Sequence, residues 1–168
     1  SAVPDHAATT LGQLPRPEWL RIAIGPPGTG VAGFRDSLKG AQLCAEIGRV
    51  AVDRPIWNYP DVAIAVQLLR DPAEAARFVR FELGELGGDG ERLEEIRETT
   101  RLYLASGNAR SVVAQALHIS PTAVAYRVRQ AAEFIGRPLA ERPMEIRLAL
   151  ELRQSFADQL PGVTPRPR

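Results

Sequence analysis

The glycine-rich stretch at residues 25–30 comes nearest to a catalytic motif. It reads Gly-Pro-Pro-Gly-Thr-Gly and lies between a predicted strand and a predicted helix, as a nucleotide phosphate loop does. That motif requires a lysine next, which reaches the β- and γ-phosphates, and then a hydroxyl residue for Mg²⁺. Val31 and Ala32 stand there instead. We therefore expect a structural turn and no nucleotide hydrolysis, with a backbone anion site as the open alternative.

Other residues that carry chemistry are too few or too far apart to form a site. His6 and His118 are the two histidines and Cys44 is the single cysteine, so the spacing predicts no metal-ligand cluster. The sequence contains no Gly-x-Ser-x-Gly motif, which argues against a serine nucleophile of the hydrolase kind. We expect no enzymatic activity, no cofactor and no bound metal.

The C-terminal part of the chain is modestly the more cationic. Residues 91–168 hold twelve arginines and nine acidic residues, whereas residues 1–90 hold nine basic and eleven acidic ones. The net charge of the whole chain is only +1. Charge alone therefore neither favours nor excludes a nucleic-acid partner.

Two short helices separated by a tight turn are predicted between residues 108 and 135. Asn108 is expected to cap the first helix, and residues 118–119 form the turn. Ser120 and Pro121 are a strong start for the second, with a capping hydroxyl followed by proline at the first helical position. Longer predicted helices precede and follow the pair. This order is typical of a helix-turn-helix, although a plain four-helix packing unit fits the pattern equally well.

The second helix of a helix-turn-helix pair enters the major groove of DNA, so its first turns supply the candidate contacts. The candidate base contacts are Ser120, Thr122, Ala123 and Tyr126. The candidate phosphate contacts are Arg110, Arg127 and Arg129.

The N-terminal part is predicted to be a small α/β unit. Residues 21–25 and 56–59 each read as a short strand, and apolar residues at steps of three and four predict a helix over residues 34–52. In that helix Phe34 and Leu38 are expected on the inward face with Cys44. Two strands are too few for a stable sheet, so the sheet is completed elsewhere or this is half of a larger domain.

We expect an α+β chain that is mostly α, with a small α/β unit followed by an all-α helix-turn-helix domain. The predicted parts are a linker or fragment edge at 1–19, an α/β domain at 20–86, the helical domain at 91–160 and a disordered tail at 161–168. The glycine-rich residues 84–90 are the predicted joint. No signal peptide is apparent, no apolar run is long enough for a membrane, and the single cysteine fits a reducing cytoplasm.

Several runs of the helical part follow one another in a characteristic order. They are Leu93-Glu94-Glu95-Ile96, Tyr103-Leu104, Gly107-Asn108, Ala125-Tyr126-Arg127-Val128, Phe134-Ile135-Gly136-Arg137-Pro138-Leu139 and Arg147-Leu148-Ala149-Leu150. In these runs residues 93–153 resemble the C-terminal helix-turn-helix domain of bacterial PucR-type regulators, which include the sugar-diacid (CdaR-like) regulators. The resemblance implies transcription control through double-stranded DNA, by a homodimer or higher homo-oligomer. It also implies a small-molecule effector sensed through an N-terminal or missing domain.

The chain departs from that family at the start of the recognition helix. The family pattern resembles His-Arg-Asn-Thr-Leu-Arg-Tyr-Arg, whereas residues 120–127 read Ser-Pro-Thr-Ala-Val-Ala-Tyr-Arg. Most of the polar residues that would contact base edges are replaced, although Thr122 and Ala123 can still contact a thymine methyl group. We expect the recognition helix at about residues 120–135, in the major groove. The alternative is a helical dimerisation or signal-relay module with weak or no specific DNA binding.

The N-terminal runs Ile22-Ala23-Ile24-Gly25 and Gly33-Phe34-Arg35-Asp36-Ser37 carry a second likeness. Through them the part at 20–86 resembles the second half of a degenerate GGDEF-like domain. This implies sensing, dimerisation or signal relay, and not cyclic-dinucleotide synthesis. A small-ligand sensor with a pocket between residues 25–33 and the following helix is the third hypothesis.

Overall fold

The computed structural model describes residues 10–11, 13–15, 17–50 and 55–163, with the backbone alone for residues 47–50 and 61. From residue 22 onward the described chain contains seven α-helices and a two-stranded parallel sheet. This confirms the predicted α+β class, mostly α. None of the described helices has the length and hydropathy needed to cross a membrane. Predictions for His6, residues 1–9 and residues 164–168 lie outside the described residues.

The chain divides into two compact units between Arg70 and Asp71. In the first unit, strand β1 (Ile22–Ile24) and strand β2 (Ile56–Asn58) pair in parallel. Helix α1 (Gly30–Val50) connects them, since parallel strands require a crossover. Helix α2 (Tyr59–Leu68) follows β2 directly. Both predicted strands and the predicted helix are present.

Helix α1 buries a different face from the predicted one. Phe34 and Leu38 are 67% and 48% exposed, whereas Gly40 and Cys44 are buried. The physical reason is close packing at Gly40, where an added Cβ would lie 2.3 Å from Cδ of Pro26. Helix α1 packs against neighbouring segments through small residues. The prediction that Phe34 and Leu38 face inward is therefore wrong.

The glycine-rich loop at residues 25–29 leads directly into α1. A Cβ added to Gly28 would lie 2.5 Å from the carbonyl oxygen of Gly33, so the loop backbone packs against the first turn of the helix. The small-ligand pocket expected between this loop and the helix stays a prediction.

The second unit is helical throughout its described residues. Its α-helices are α3 (Pro72–Leu83), α4 (Glu91–Ala105), α5 (Arg110–Ala116), α6 (Pro121–Ile135) and α7 (Pro143–Phe156). Short 3₁₀ turns follow α3, precede α7 and follow α7. Helix α3 packs against α7, α4 against α6 and α7, and α5 against α6. Every helix of this unit therefore shares a contact face with another.

The division between the units differs from the predicted joint at residues 84–90. Helix α3 belongs to the second unit, where its residues Ala75, Val79 and Leu83 are buried. The stretch after it forms a 3₁₀ turn with Leu86 fully buried. Glycine content predicted flexibility, but burial of an apolar side chain within the stretch fixes its position.

Candidate nucleic-acid interface

Helices α5 and α6 form a helix-turn-helix pair that is braced by α4. Val113 and Ala114 of α5 meet Val124 of α6 in a buried apolar cluster. Partly buried side chains from α4, α6 and the turn pack around it: Leu102, Tyr103, Leu117, Ile119 and Val128. In such an arrangement the second helix of the pair is the one that can enter a major groove.

The turn before α5 differs from the prediction that Asn108 caps that helix. The N-cap residue is Ala109, and no side chain makes a capping hydrogen bond there. Asn108 has a left-handed φ of 69°, and its N–H donates to the carbonyl oxygen of Tyr103 at 2.9 Å. Gly107, with a φ of 64°, is the left-handed residue after the C-cap Ser106, and Asn108 completes this C-terminal end of α4 through its N–H. The prediction is wrong because asparagine favours both kinds of helix end.

The two ends of α6 lie where the sequence predicts them. The hydroxyl oxygen of Ser120 accepts a hydrogen bond from the N–H of Ala123 at 3.1 Å, and Pro121 occupies the first helical position. The helix ends at Ile135, and Gly136 follows with a φ of 81°. The predicted bounds of this helix are confirmed, and its insertion into a major groove stays a prediction.

Arg127 lies on the inner face of α6 and is bound to α4. Its Nη2 donates to Oε2 of Glu95 at 2.6 Å, and its Nη1 donates to Oγ1 of Thr99 at 3.3 Å. The Arg127 side chain is only 23% exposed, and Thr99 is fully buried. A guanidinium held in this way braces α6 against α4. The geometry favours this role over the predicted phosphate contact.

Three of the predicted contact residues share the outer face of α6. Thr122, Tyr126 and Arg129 follow one another at steps of four and three residues, the spacing of one helix face. Thr122 is exposed, Tyr126 is half-exposed, and the Arg129 side chain is 69% exposed. The Arg129 guanidinium lies 5.5 Å from the centre of the Tyr126 ring, a cation–π distance, and 3.7 Å from Glu133. This face presents a loosely held cation to solvent.

The remaining predicted contact residues lie near the ends of the two helices. Arg110, the first residue of α5, is exposed, as is Ser120 before α6. Ala123 is half-buried in the first turn of α6. The N-terminal ends of α5 and α6 are therefore open to solvent. Arg127 differs from the other predicted contact residues because it is bound to α4.

A cleft of about 860 Å³ is lined by α4, the turn between α5 and α6, and α7. Charged side chains on its wall pair with one another: Arg97 with Glu94, Arg101 with Glu98, Arg127 with Glu95 and Arg153 with Asp89. The pair of Arg127 and Glu95 joins α6 to α4, and the pair of Arg153 and Asp89 joins α7 to the segment before α4. Two of these pairs lie three residues apart on α4, a spacing visible in the sequence. The partners of Arg127 and Arg153 lie on other segments, and no local signal identifies them.

Residues 96–153 match the family model described as the PucR C-terminal helix-turn-helix domain. The chain carries a PucR-type helix-turn-helix domain. In the structure this PucR-type segment begins within α4, ends within α7 and contains both helices of the pair. Helix α3 lies outside it.

A curated relative supports the same assignment. The chain is 28% identical over 129 residues to the protein named transcriptional activator PmfR from Paenarthrobacter nicotinovorans. The match covers 75% of this chain but only 27% of that protein's length, and it is longer than the PucR-type domain. No solved structure gives a significant match. The GGDEF-like likeness of the part at 20–86 stays a prediction.

Proposed function

We propose that this chain is the DNA-binding portion of a PucR-type transcription regulator, and that the outer face of α6 enters the major groove of double-stranded DNA. The observation that carries the proposal is the division of α6 into two faces. Val124 and Arg127 are engaged with α5 and α4, whereas Thr122, Tyr126 and Arg129 face outward. The PucR-type domain, and the relative's name as a transcriptional activator, support the same role.

The outer face offers two kinds of contact. Arg110 and Arg129 are suited to phosphate oxygens, since exposed arginines present several donors to them. Thr122 and Ala123 carry methyl groups that can pack against the C5 methyl of thymine. Two hydroxyl groups complete the proposed surface, those of Ser120 and Tyr126. We therefore expect thymine in the bound sequence opposite the start of α6.

Selection of bound sequences from a random duplex pool, followed by titration of the selected duplex, tests this proposal. Arg129→Ala should weaken binding about fivefold or more, and should lower the slope of log affinity against log salt concentration by about one. Arg77→Ala is the matched control, because Arg77 is an arginine of α3 whose side chain is 70% exposed. Equal losses in the two variants, or no selected sequence, would contradict the proposed interface.

A helical dimerisation or signal-relay module is the second candidate function. It is favoured by the short side chains at the start of α6, where Pro121, Thr122 and Ala123 cannot make a bidentate hydrogen bond to a base. A stable homodimer with no preference among duplexes would support this candidate against the first.

The homodimer or higher homo-oligomer belongs to the proposed regulator by family resemblance. A two-fold dimer places its recognition helices about 34 Å apart, roughly one turn of B-DNA. The selected sequence should then contain two half-sites at that spacing, and binding of a monomer to one half-site would contradict the dimer. The proposed regulator is also predicted to respond to a small-molecule effector, to be cytoplasmic and to lack enzymatic activity.

A further inference from the structure

Glu82, in the last turn of α3, is a fully buried carboxylate outside the segment that matches the family model. Its Oε1 lies 2.8 Å from Nη2 of Arg142, and its Oε2 binds Nη2 of Arg137. Arg137 also donates to the main-chain carbonyl oxygen of Glu82 at 3.3 Å. A buried charge is tolerated only with such partners, and removing one is strongly destabilising. The end of α3 therefore depends on both arginines.

The two arginines flank the connection between α6 and α7. Arg137 follows Gly136, the residue that ends α6, and Arg142 precedes Pro143, where α7 begins. Their guanidinium carbons lie 5.7 Å and 5.9 Å from the centre of the Phe81 ring, within cation–π range. The last turn of α3 thus holds both ends of this connection.

A second contact joins the end of α3 to the end of α6. Gly84 directly follows α3 with a φ of 50°, and a Cβ added there would lie 2.9 Å from the carbonyl oxygen of Phe134. Only glycine allows this backbone conformation and this approach without strain. The last turn of α6 is therefore in contact with α3 through its main chain as well as through Arg137.

The segment after α3 is held by two buried arginines. Arg97 of α4 donates to the carbonyl oxygens of Leu86 and Gly88 at 2.8 Å and 2.6 Å, and Arg153 of α7 donates to Gly88 at 3.0 Å. Burial and then the nearby Arg97 lower the pKa of Arg153, while its hydrogen bond to Asp89 opposes that shift. Helix α3 and the turn after it are therefore anchored to three helices of the second unit.

We propose that Glu82 is a positioning residue for the recognition helix: with Arg137 and Arg142 it fixes the C-terminal end of α6, so that α3 belongs to the DNA-reading unit. The part that concerns DNA rests on the function proposed above. The division between the units, at Arg70 and Asp71, immediately precedes α3. Helix α3 is therefore also the covalent link from the first unit to this anchor, and a displacement of α3 acts on the orientation of α6.

The variant Glu82→Gln in the full chain tests the proposal, because it keeps the side-chain shape and removes the charge. Hydrogen exchange of main-chain amides and titration with the selected duplex are measured well below the melting temperature. Amides of residues 133–137 should exchange about tenfold faster or more, those of Val113 and Ala114 should be unchanged, and duplex affinity should fall about threefold or more. Glu85→Gln is the control and should change none of these, because Glu85 is exposed in the following turn.

Equal acceleration throughout the second unit with unchanged duplex affinity would overturn the proposal, since Glu82 would then contribute only to overall stability. Arg142→Gln replaces the first variant if that one does not fold, because Arg137 still pairs with the carboxylate. It should accelerate the same amides by a smaller factor, and a lack of local acceleration would also overturn the proposal. If the wild-type protein binds no duplex, the proposed function fails separately. The exchange pattern then still decides whether Glu82 fixes the end of α6.

Discussion

Arg127 and Arg129 stand two residues apart on α6, yet their surroundings are opposite. Arg127 is largely enclosed and lies 2.6 Å from Glu95, whereas Arg129 is mostly exposed and lies 3.7 Å from Glu133. Two residues along an α-helix correspond to a rotation of about 200°. One arginine therefore faces the bracing helix and the other faces solvent. Helical phase relative to the buried Val124, and not residue type, separates the enclosed arginine from the solvent-exposed one on this helix.

The largest expected difference between the two faces concerns apolar volume. Val124→Ala removes two methyl groups from the cluster with Val113 and Ala114, and should lower the free energy of unfolding by about 2 kcal/mol. Thr122→Ala on the outer face is the control and should change it by less than about 0.5 kcal/mol. Urea denaturation measures both values. Similar losses would remove the distinction between the faces.

The cap at the start of α6 should have the next largest effect. Ser120→Ala removes the acceptor for the N–H of Ala123, and should lower the free energy of unfolding by about 1 kcal/mol. Ser120→Asp keeps an acceptor at the same place and should restore most of the loss. Equal stabilities of the alanine and aspartate variants would show that the cap contributes nothing measurable.

The ion pair on the inner face should have a smaller effect. A double-mutant cycle with Arg127→Ala and Glu95→Ala should give a coupling energy between about 0.5 and 1 kcal/mol, because solvent screens the half-exposed Glu95. The looser pair of Arg129 and Glu133 is the matched control and should couple near zero. Chemical denaturation of all variants measures this, and equal couplings would contradict the contrast between the two arginines.

The smallest effect on stability is expected for the outer arginine. Arg129→Ala should change the free energy of unfolding by less than about 0.5 kcal/mol, although its duplex affinity falls. Arg127→Ala should show the reverse, with stability lost and the affinity of the folded protein largely kept. Calorimetry and duplex titration on the same samples separate the two properties. If Arg127→Ala lowers duplex affinity but not stability, Arg127 contacts DNA and the contrast between the two arginines is wrong.

Signals that act between neighbouring residues made much of the second unit predictable. Ser120, Pro121 and Gly136 set the ends of α6, because caps, prolines and left-handed glycines act within one helical turn. The same local reasoning misassigned Asn108, since one residue type serves two kinds of helix end. Local signals therefore located the helices more reliably than they assigned each turn residue.

Contacts between distant residues could not be predicted in this way. Glu95 lies 32 residues from Arg127, and Glu82 lies 55 residues from Arg137. No spacing rule connects residues so far apart, so the structural role of Arg127 and the anchor at the end of α3 emerged only from the fold. The exposed Phe34 shows a related limit. Periodicity marks apolar positions on a helix, but close backbone packing at small residues decides which face is buried.

The separation of 55 positions between Glu82 and Arg137 also sets an order of events on the ribosome. Helix α3 is synthesised first, and its carboxylate stays hydrated until Arg137 and Arg142 have emerged, because burial without them is unfavourable. The ends of α3 and α6 therefore reach their final positions together, and only after residue 142 has emerged. A nascent chain that stops before residue 137 contains every member of the apolar cluster of the helix pair, but lacks the arginines that anchor the end of α6 to Glu82.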